Sequence, residues 1–303
     1  YAGAWSNRCY RKFRNRIRYF HSNGPSLIFI LLFIHFLRSL FYGSYFYNTN
    51  TWFTGIIIYL LLMAIAFIGY VLPFAQMSLW GATVITNLLS FIPSLIEFIL
   101  GGFSICNPTL KRFFILHFIL PAILLSILFL HIFYLHLFSS NNPLKYNTNN
   151  KIPFFIYILY KDLYTFILTL SLYIIQSYFT ISTLSHPDNS LETNPLITPL
   201  HIVPEWYFLC QYGILKSIPN KNSGFIIFLS SILILFIFGE IKNLSTFTKL
   251  STISNSYTIT SYILTFITFC FIGGQLPQHN LLSYSRILTL HYYFLLISIL
   301  ILI

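Results

Sequence analysis

Charge is what this 303-residue sequence has least of: 6 Asp+Glu and 17 Lys+Arg make up only 8% of it, against roughly 25% in soluble domains. That scarcity excludes an ordinary water-soluble globule. Cysteine is nearly as scarce. Cys9, Cys106, Cys210 and Cys270 lie far apart, with no CxxC and no CxxCH. This excludes a zinc site, a disulfide framework and covalent haem attachment, and leaves four small apolar side chains. No cleavable signal peptide is visible. The net charge of +11 does not describe a nucleic-acid surface, because six of the cations sit between Arg8 and Arg18. Anionic lipid or cofactor carboxylates suit them better. What is plentiful is apolar: 56% hydrophobic residues, with 33 Phe and 22 Tyr in long Ile/Leu/Phe runs interrupted by Asn, as an AT-rich organelle genome would encode.

Stretches long enough to cross roughly 30 Å of hydrocarbon at 1.5 Å per residue occur near 25–42, 52–72, 113–138, 163–184, 223–239, 257–273 and 285–303. The predicted fold is all-α, a polytopic transmembrane bundle of about seven spans. Three regions follow: a basic interfacial segment (1–20), the first four spans (21–184) and a C-terminal region (185–303). The second connection (73–112) carries an amphipathic stretch, and the third (139–161) is rich in Asn and Lys. After the fourth span, His186-Pro187-Asp188-Asn189 through Thr198-Pro199 to Pro204-Glu205-Trp206-Tyr207 is too rich in proline for a continuous helix. Alternating directions put the starts of the first and third spans on the membrane side of the 185–222 segment.

Ionisable residues inside a membrane are costly, so each calls for a reason. His21 and His35 are 14 residues apart on the first span, and His117 and His131 are 14 apart on the third. Fourteen residues return a side chain to within about 40° of its starting face, roughly 21 Å along the axis. Two parallel helices with this spacing present two opposed His–His pairs, one near each surface. That is a geometry for two bis-histidine haems, whose filled axial positions suit electron transfer and not oxygen binding. Gly55 and Gly69 on the second span repeat the interval and offer room for a flat macrocycle. Arg18 and Arg38 each stand three residues from a ligand position, where a guanidinium can pair with propionates.

The segments Arg18-Tyr19-Phe20-His21-Ser22-Asn23-Gly24, Gly69-Tyr70-Val71-Leu72-Pro73, Trp80-Gly81-Ala82-Thr83-Val84-Ile85-Thr86-Asn87-Leu88-Leu89, His117-Phe118-Ile119-Leu120-Pro121 and Pro204-Glu205-Trp206-Tyr207 resemble mitochondrial cytochrome b, a respiratory complex III subunit. The match runs from about residue 16 to the end of the chain. The wording around 184–189 and 202–204 looks most like alveolate protist versions.

The resemblance implies a di-haem, four-helix-type core in the mitochondrial inner membrane. In it, His21 with His117 would hold a low-potential haem b, and His35 with His131 a high-potential one. It implies a quinol oxidation pocket lined by Glu205, Tyr212, Tyr70, Phe67 and Gly81, with Glu205 and Tyr212 on one helical face and Glu205 as proton acceptor. It also implies a quinone reduction site at His136, Ser140 and Asp162, with ubiquinol and ubiquinone as substrates. The implied partners are the Rieske iron–sulfur protein, a c-type cytochrome subunit, further complex III subunits in a homodimeric complex, and lipids such as cardiolipin.

Two departures stand out. After Pro73 the family continues Trp-Gly-Gln where this chain has Phe74-Ala75-Gln76, so an altered quinol pocket is expected, with a methyl group at a turn that favours Gly. The family also has a full span before the segment matching Arg18–Gly24. That span is absent here, and a separate fragment or an earlier part of the sequence is expected to supply it.

Charge topology pulls the other way from the family. Arg8, Arg11, Lys12, Arg14, Arg16, Arg18, Lys111, Arg112, Lys216, Lys221 and Arg286 lie on the side of 185–222, which the positive-inside rule would place in the matrix. The family's orientation, which puts that side in the intermembrane space, is the one adopted. The rival classes are a haem-free transporter or channel, which broken mid-membrane helices would favour, and a haem-free structural relic.

Overall fold

The computed structural model describes residues 2–142, 151–179, 184–240 and 252–301. The side chains of residues 2–13, 252, 253 and 301 lie outside the described set, and with them Arg8, Arg11, Lys12 and Cys9, as do residues 143–150 of the polar connection and 180–183 of the fourth span. The described chain folds mainly into α-helices: α1 Ala2–Tyr42, α2 Ser44–Tyr47, α3 Thr49–Val71, α4 Gln76–Asn87, α5 Pro93–Leu100, α6 Asn107–Phe138, α7 Leu159–Phe179, α8 Leu209–Ser217, α9 Lys221–Glu240, α10 Thr252–Gly274 and α11 His279–Ile301. An isolated antiparallel bridge pairs Ala75 with Glu192.

Six described segments are long and apolar enough to span a bilayer: Arg14–Tyr42, Thr49–Val71, Asn107–Phe138, Phe154–Phe179, Lys221–Glu240 and Ser254–Gly274. The seventh predicted span falls in α11, whose 23 residues would reach about 34 Å, but Arg286, His291 and paired tyrosines make it less apolar. Helix signals explain the boundaries. Pro93 and Pro108 stand in the first turns of α5 and α6, where the missing amide costs nothing. Gly101 ends α5 at φ 72°, a conformation that favours glycine. Pro25 and Pro121 interrupt the ladders inside α1 and α6, as membrane helices tolerate. Helix α1 is continuous across residue 20, where the basic segment was expected to meet the first span.

Two compact units result, defined by contact and not by chain order. The first comprises residues 1–36 and 146–185. In it the Phe20 and Tyr173 rings meet edge-on at 5.7 Å, the Tyr173 hydroxyl donates to the Phe20 carbonyl, and Arg16 Nη2 lies 3.3 Å from Tyr178 Oη. The second comprises 37–145 and 186–303. There α3 lies along α6, while α8 is enclosed by α9, α10 and α11. Tyr45, Trp52 and Phe238 join α2, α3 and α9, and Trp52 Nε1 donates to the Leu235 carbonyl at 2.8 Å.

Helices α8 and α10 touch backbone to backbone through glycine. A Cβ at Gly213 would come within 2.8 Å of the Phe269 carbonyl oxygen, and one at Gly273 would overlap the Leu209 carbonyl. Lys216 closes the same contact, its Nζ 2.7 to 3.2 Å from the carbonyls of Ile272, Gly273 and Gln275 at the end of α10, where a cation is favoured. Gly273→Ala is therefore expected to destabilise the protein by about 1–3 kcal/mol through overpacking. Thermal unfolding of the purified complex would reveal it as a lowered midpoint, and an unchanged midpoint would refute it.

Candidate functional site

Helices α3 and α6 build the first element of the site. His117 and His131 project from α6 onto α3 at the two glycines of matching interval. A Cβ added to Gly69 would stand 2.5 Å from His117 Cε1 and 3.0 Å from Nδ1, and one added to Gly55 would stand 3.2 Å from His131 Cε1. The absent side chains are what admit the rings. His117 Nδ1 lies 3.0 Å from the Ile65 carbonyl. A carbonyl can only accept, so Nδ1 carries the proton and Nε2 the lone pair that a metal requires. His131 Nδ1 lies 3.0 Å from Thr54 Oγ1, whose single proton is directed to the carbonyls of Asn50 and Thr51 at 2.9 and 3.0 Å. That hydroxyl therefore accepts from Nδ1, and the His131 tautomer is fixed in the same sense. Both imidazoles are thus oriented by α3 as metal-binding histidines are by their outer partners. The neutral nitrogen donors and the fixed tautomers fit haem ligation, while the glycine clefts are filled by the imidazoles themselves and not left open for the macrocycle expected there. Among the described residues no group of three or more His, Cys, Asp or Glu side chains could hold a metal ion, and a bis-histidine site requires none.

His21 and His35 are exposed positions on α1, within the first unit, and Arg18 is exposed beside them. Arg38 belongs to the second unit and holds its guanidinium 5.9 Å above the Tyr42 ring.

A second constellation lies wholly in the second unit. Glu205 begins a short 3-10 turn, Trp206–Phe208, ahead of α8. It therefore does not share a helical face with Tyr212, which α8 carries, as the seven-residue spacing had suggested. Burial pushes the Glu205 carboxyl up to about 7, against the opposing pull of the Tyr70 hydroxyl and the His186 amide. Tyr70 and Glu205 interact only loosely: Tyr70 Oη and Glu205 Oε1 are buried without a partner in full hydrogen-bonding geometry, which leaves bonding capacity that a ligand would take up. Tyr207 packs beside the carboxyl, and burial raises its phenol likewise. Gly81 opens onto space, with nothing within 4 Å of an added Cβ. Phe67 is engaged in core packing, 6.2 Å from Phe113. The Tyr212 hydroxyl reaches the Ile202 carbonyl at 3.5 Å, and Lys216 stands 5.1 Å above its ring.

The turn from α3 into α4 corrects a second expectation. The left-handed residue is Phe74, at φ 49°, while Ala75 sits at φ −97°, ψ 179°, a region any residue adopts. No glycine is needed at 75, and the methyl group strains nothing. The turn is held by residues for which spacing offered no signal. Thr193 Oγ1 donates to the Phe74 carbonyl. Gln76 accepts from the Asn194 amide at 2.8 Å and donates to the Ile197 carbonyl at 2.6 Å. Ser78 engages Asn189. Only their place in a Pro-rich segment without an α-helix could have drawn attention to 189–197.

At the end of α6, His136 and Ser140 are exposed. Asn48 Nδ2 donates to the Ser139 carbonyl at 2.9 Å, and Asn141 bridges Ser44 and the Tyr42 carbonyl, which fixes the chain beside Ser140. Asp162 lies on α7, in the first unit, and is exposed.

Two sequence profiles match this chain, one described as cytochrome b/b6/petB over residues 12–139 and one as cytochrome b (C-terminal)/b6/petD over residues 192–294. A cytochrome b of Plasmodium chabaudi is 46% identical over 293 residues, covering 95% of this chain and 76% of its own length. One of Toxoplasma gondii is 45% identical over 282 residues, covering 91% and 76%. Both organisms are alveolate parasites, in keeping with the resemblance read from 184–189 and 202–204. A solved structure described as a hyperthermophilic respiratory complex III superposes with a TM-score of 0.87 at 26% identity, covering 96% of this chain and 79% of that one.

The two glycine clefts differ in tightness, so their alanine variants should differ in effect. Gly69→Ala is expected to displace the His117 ring and diminish the reduced-minus-oxidised α-band, whereas Gly55→Ala, whose Cβ would stand 3.2 Å from His131 Cε1, needs a shift of only a few tenths of an ångström and should diminish it less. Equal spectra for the two variants would refute the cleft assignment.

Proposed function

The chain belongs to the cytochrome b family, as the cytochrome b subunit of a ubiquinol:cytochrome c oxidoreductase, and we propose that it binds two haems b between a quinol-oxidation and a quinone-reduction site at opposite membrane faces. The observation that carries this reading is the α3–α6 seam, where two imidazoles 14 residues apart lie in glycine clefts with Nδ1 held by hydrogen bonds. His21 with His117 would hold the haem on the Glu205 side of the membrane, and His35 with His131 the other, and Arg18 and Arg38 would pair with their propionates. When bound, the haems supply a two-step electron path across the membrane. The remaining chemistry belongs to the chain.

In the quinol-oxidation site, Glu205 accepts a proton from the quinol hydroxyl. A carboxyl raised to about 7 is suited to taking up and releasing that proton near neutral pH. Tyr70, Tyr207 and Tyr212 line the pocket, Gly81 leaves room for the ring, and Phe67 backs the wall through Phe113. Oxidation to quinone would release two electrons and two protons: one proton goes to Glu205 and the other to water on that side, and the electrons would be divided between a Rieske iron–sulfur partner that serves a c-type cytochrome and the haem pair. At the opposite face, His136 and Asp162 hydrogen-bond the quinone carbonyls and deliver protons, with Ser140 as a further donor. The proposed setting is the mitochondrial inner membrane, in a homodimeric complex with further subunits and anionic lipid such as cardiolipin against the basic residues.

Two outcomes test this. His131→Leu should abolish one of two b-type α-band components and block electron flow to the far-side quinone, and an unchanged spectrum would overturn the ligand assignment. The second concerns Glu205. Below about 7 the carboxyl is protonated and cannot act as acceptor, so quinol oxidation should fall as pH drops through that value. Glu205→Gln should lower the rate and remove the acid limb. A pH profile identical to that of the unaltered protein would exclude Glu205 as the base.

A further inference from the structure

Asn189 lies outside every residue assigned so far to a quinone or haem site, yet it joins the two helix ends that frame the Tyr70–Glu205 pocket. Its Oδ1 accepts from the Ser78 amide at 2.9 Å and stands 2.8 Å from Ser78 Oγ, which is 2.8 Å from the Tyr70 carbonyl. Both backbone groups are helix-end orphans: the Ser78 amide lies in the first turn of α4, the Tyr70 carbonyl in the last turn of α3. Ser78 has no exposed surface, so water cannot replace the bonds, and loss of either leaves a buried polar group unpaired. Gln76 runs a parallel tie, its amide occupied at both ends by the backbone of 194 and 197. The turn that follows Tyr70 and the segment that leads to Glu205 are thereby fastened together.

We propose that Asn189 is a positioning residue for quinol oxidation: through Ser78 it fixes the last turn of α3, and with it the place of the Tyr70 side chain against Glu205. The role rests on the quinol-oxidation reading of Tyr70 and Glu205. It is an acceptor role, since the bonds use only Oδ1. Asp supplies the same acceptor, Leu none.

The test compares Asn189→Leu, Asn189→Asp and Ser78→Ala in the assembled complex, with the b-type α-band as a measure of folding. Asn189→Leu should lower kcat for quinol oxidation on the order of tenfold through misplacement of the pocket and shift the acid limb. Electron entry from the far-side quinone should be unaffected. The charged and titratable groups around that limb are Tyr70 from α3, Tyr207 from the turn of Glu205 itself, and His186 and Asp188 from the connection. Asn189→Asp, assayed above the acid limb, should recover most of kcat. Unaltered kcat and acid limb in Asn189→Leu with a full α-band would overturn the proposal. Where Asn189→Leu fails to assemble, Ser78→Ala decides: the same losses support the role, and unaltered kinetics refute it. Glu205→Gln run in parallel separates the two claims. If it keeps the acid limb the quinol-oxidation reading fails, whereas silent Asn189 and Ser78 variants beside an affected Glu205→Gln remove the positioning role alone.

Discussion

An imidazole can face a metal inside a membrane only if a neighbouring helix gives it space and fixes its proton. The α3–α6 seam meets both demands with very little. Two glycines remove the atoms that would collide with His117 and His131, and one carbonyl and one hydroxyl hold Nδ1. Helix α3, which seats the imidazoles, also carries Tyr70 in its last turn, and α6 carries His136 in its last turn, just ahead of Ser140.

The second governing constraint is that backbone polar groups in an apolar surrounding must be paired. It explains why the connection after the fourth span, though free of long helices, is not a loose loop. Its carbonyls, amides and side chains are paired with the turn between α3 and α4, through Gln76, Ser78 and Thr193. Glu205, at the end of that connection, is buried, and its desolvation raises the carboxyl.

Glycine acts differently in the two halves of the second unit. At Gly55 and Gly69 it makes room for an imidazole of α6, while at Gly213 and Gly273 it lets α8 and α10 backbones touch. The second use fixes the helix that carries Tyr212. Lys216 reinforces it by binding the carbonyls at the end of α10.

By itself the sequence determined the helical membrane architecture, the histidine intervals and the matching glycines, because span length and the 3.6-residue repeat are local arithmetic along one helix. It also carried the family wording that marks Glu205 and Tyr70. Tertiary structure alone decided that Phe74 and not Ala75 turns left-handed, since the Phe74 carbonyl is drawn to a hydroxyl 119 residues away. It decided that Glu205 stands ahead of α8 and not on it, with the 3-10 turn Trp206–Phe208 between them. Finally, the parts played by Asn189, Ser78 and Gln76 exist only where segments more than 100 residues apart meet. A hydrogen bond and a desolvated carboxyl depend on what lies across the gap, and no local pattern of residues encodes that.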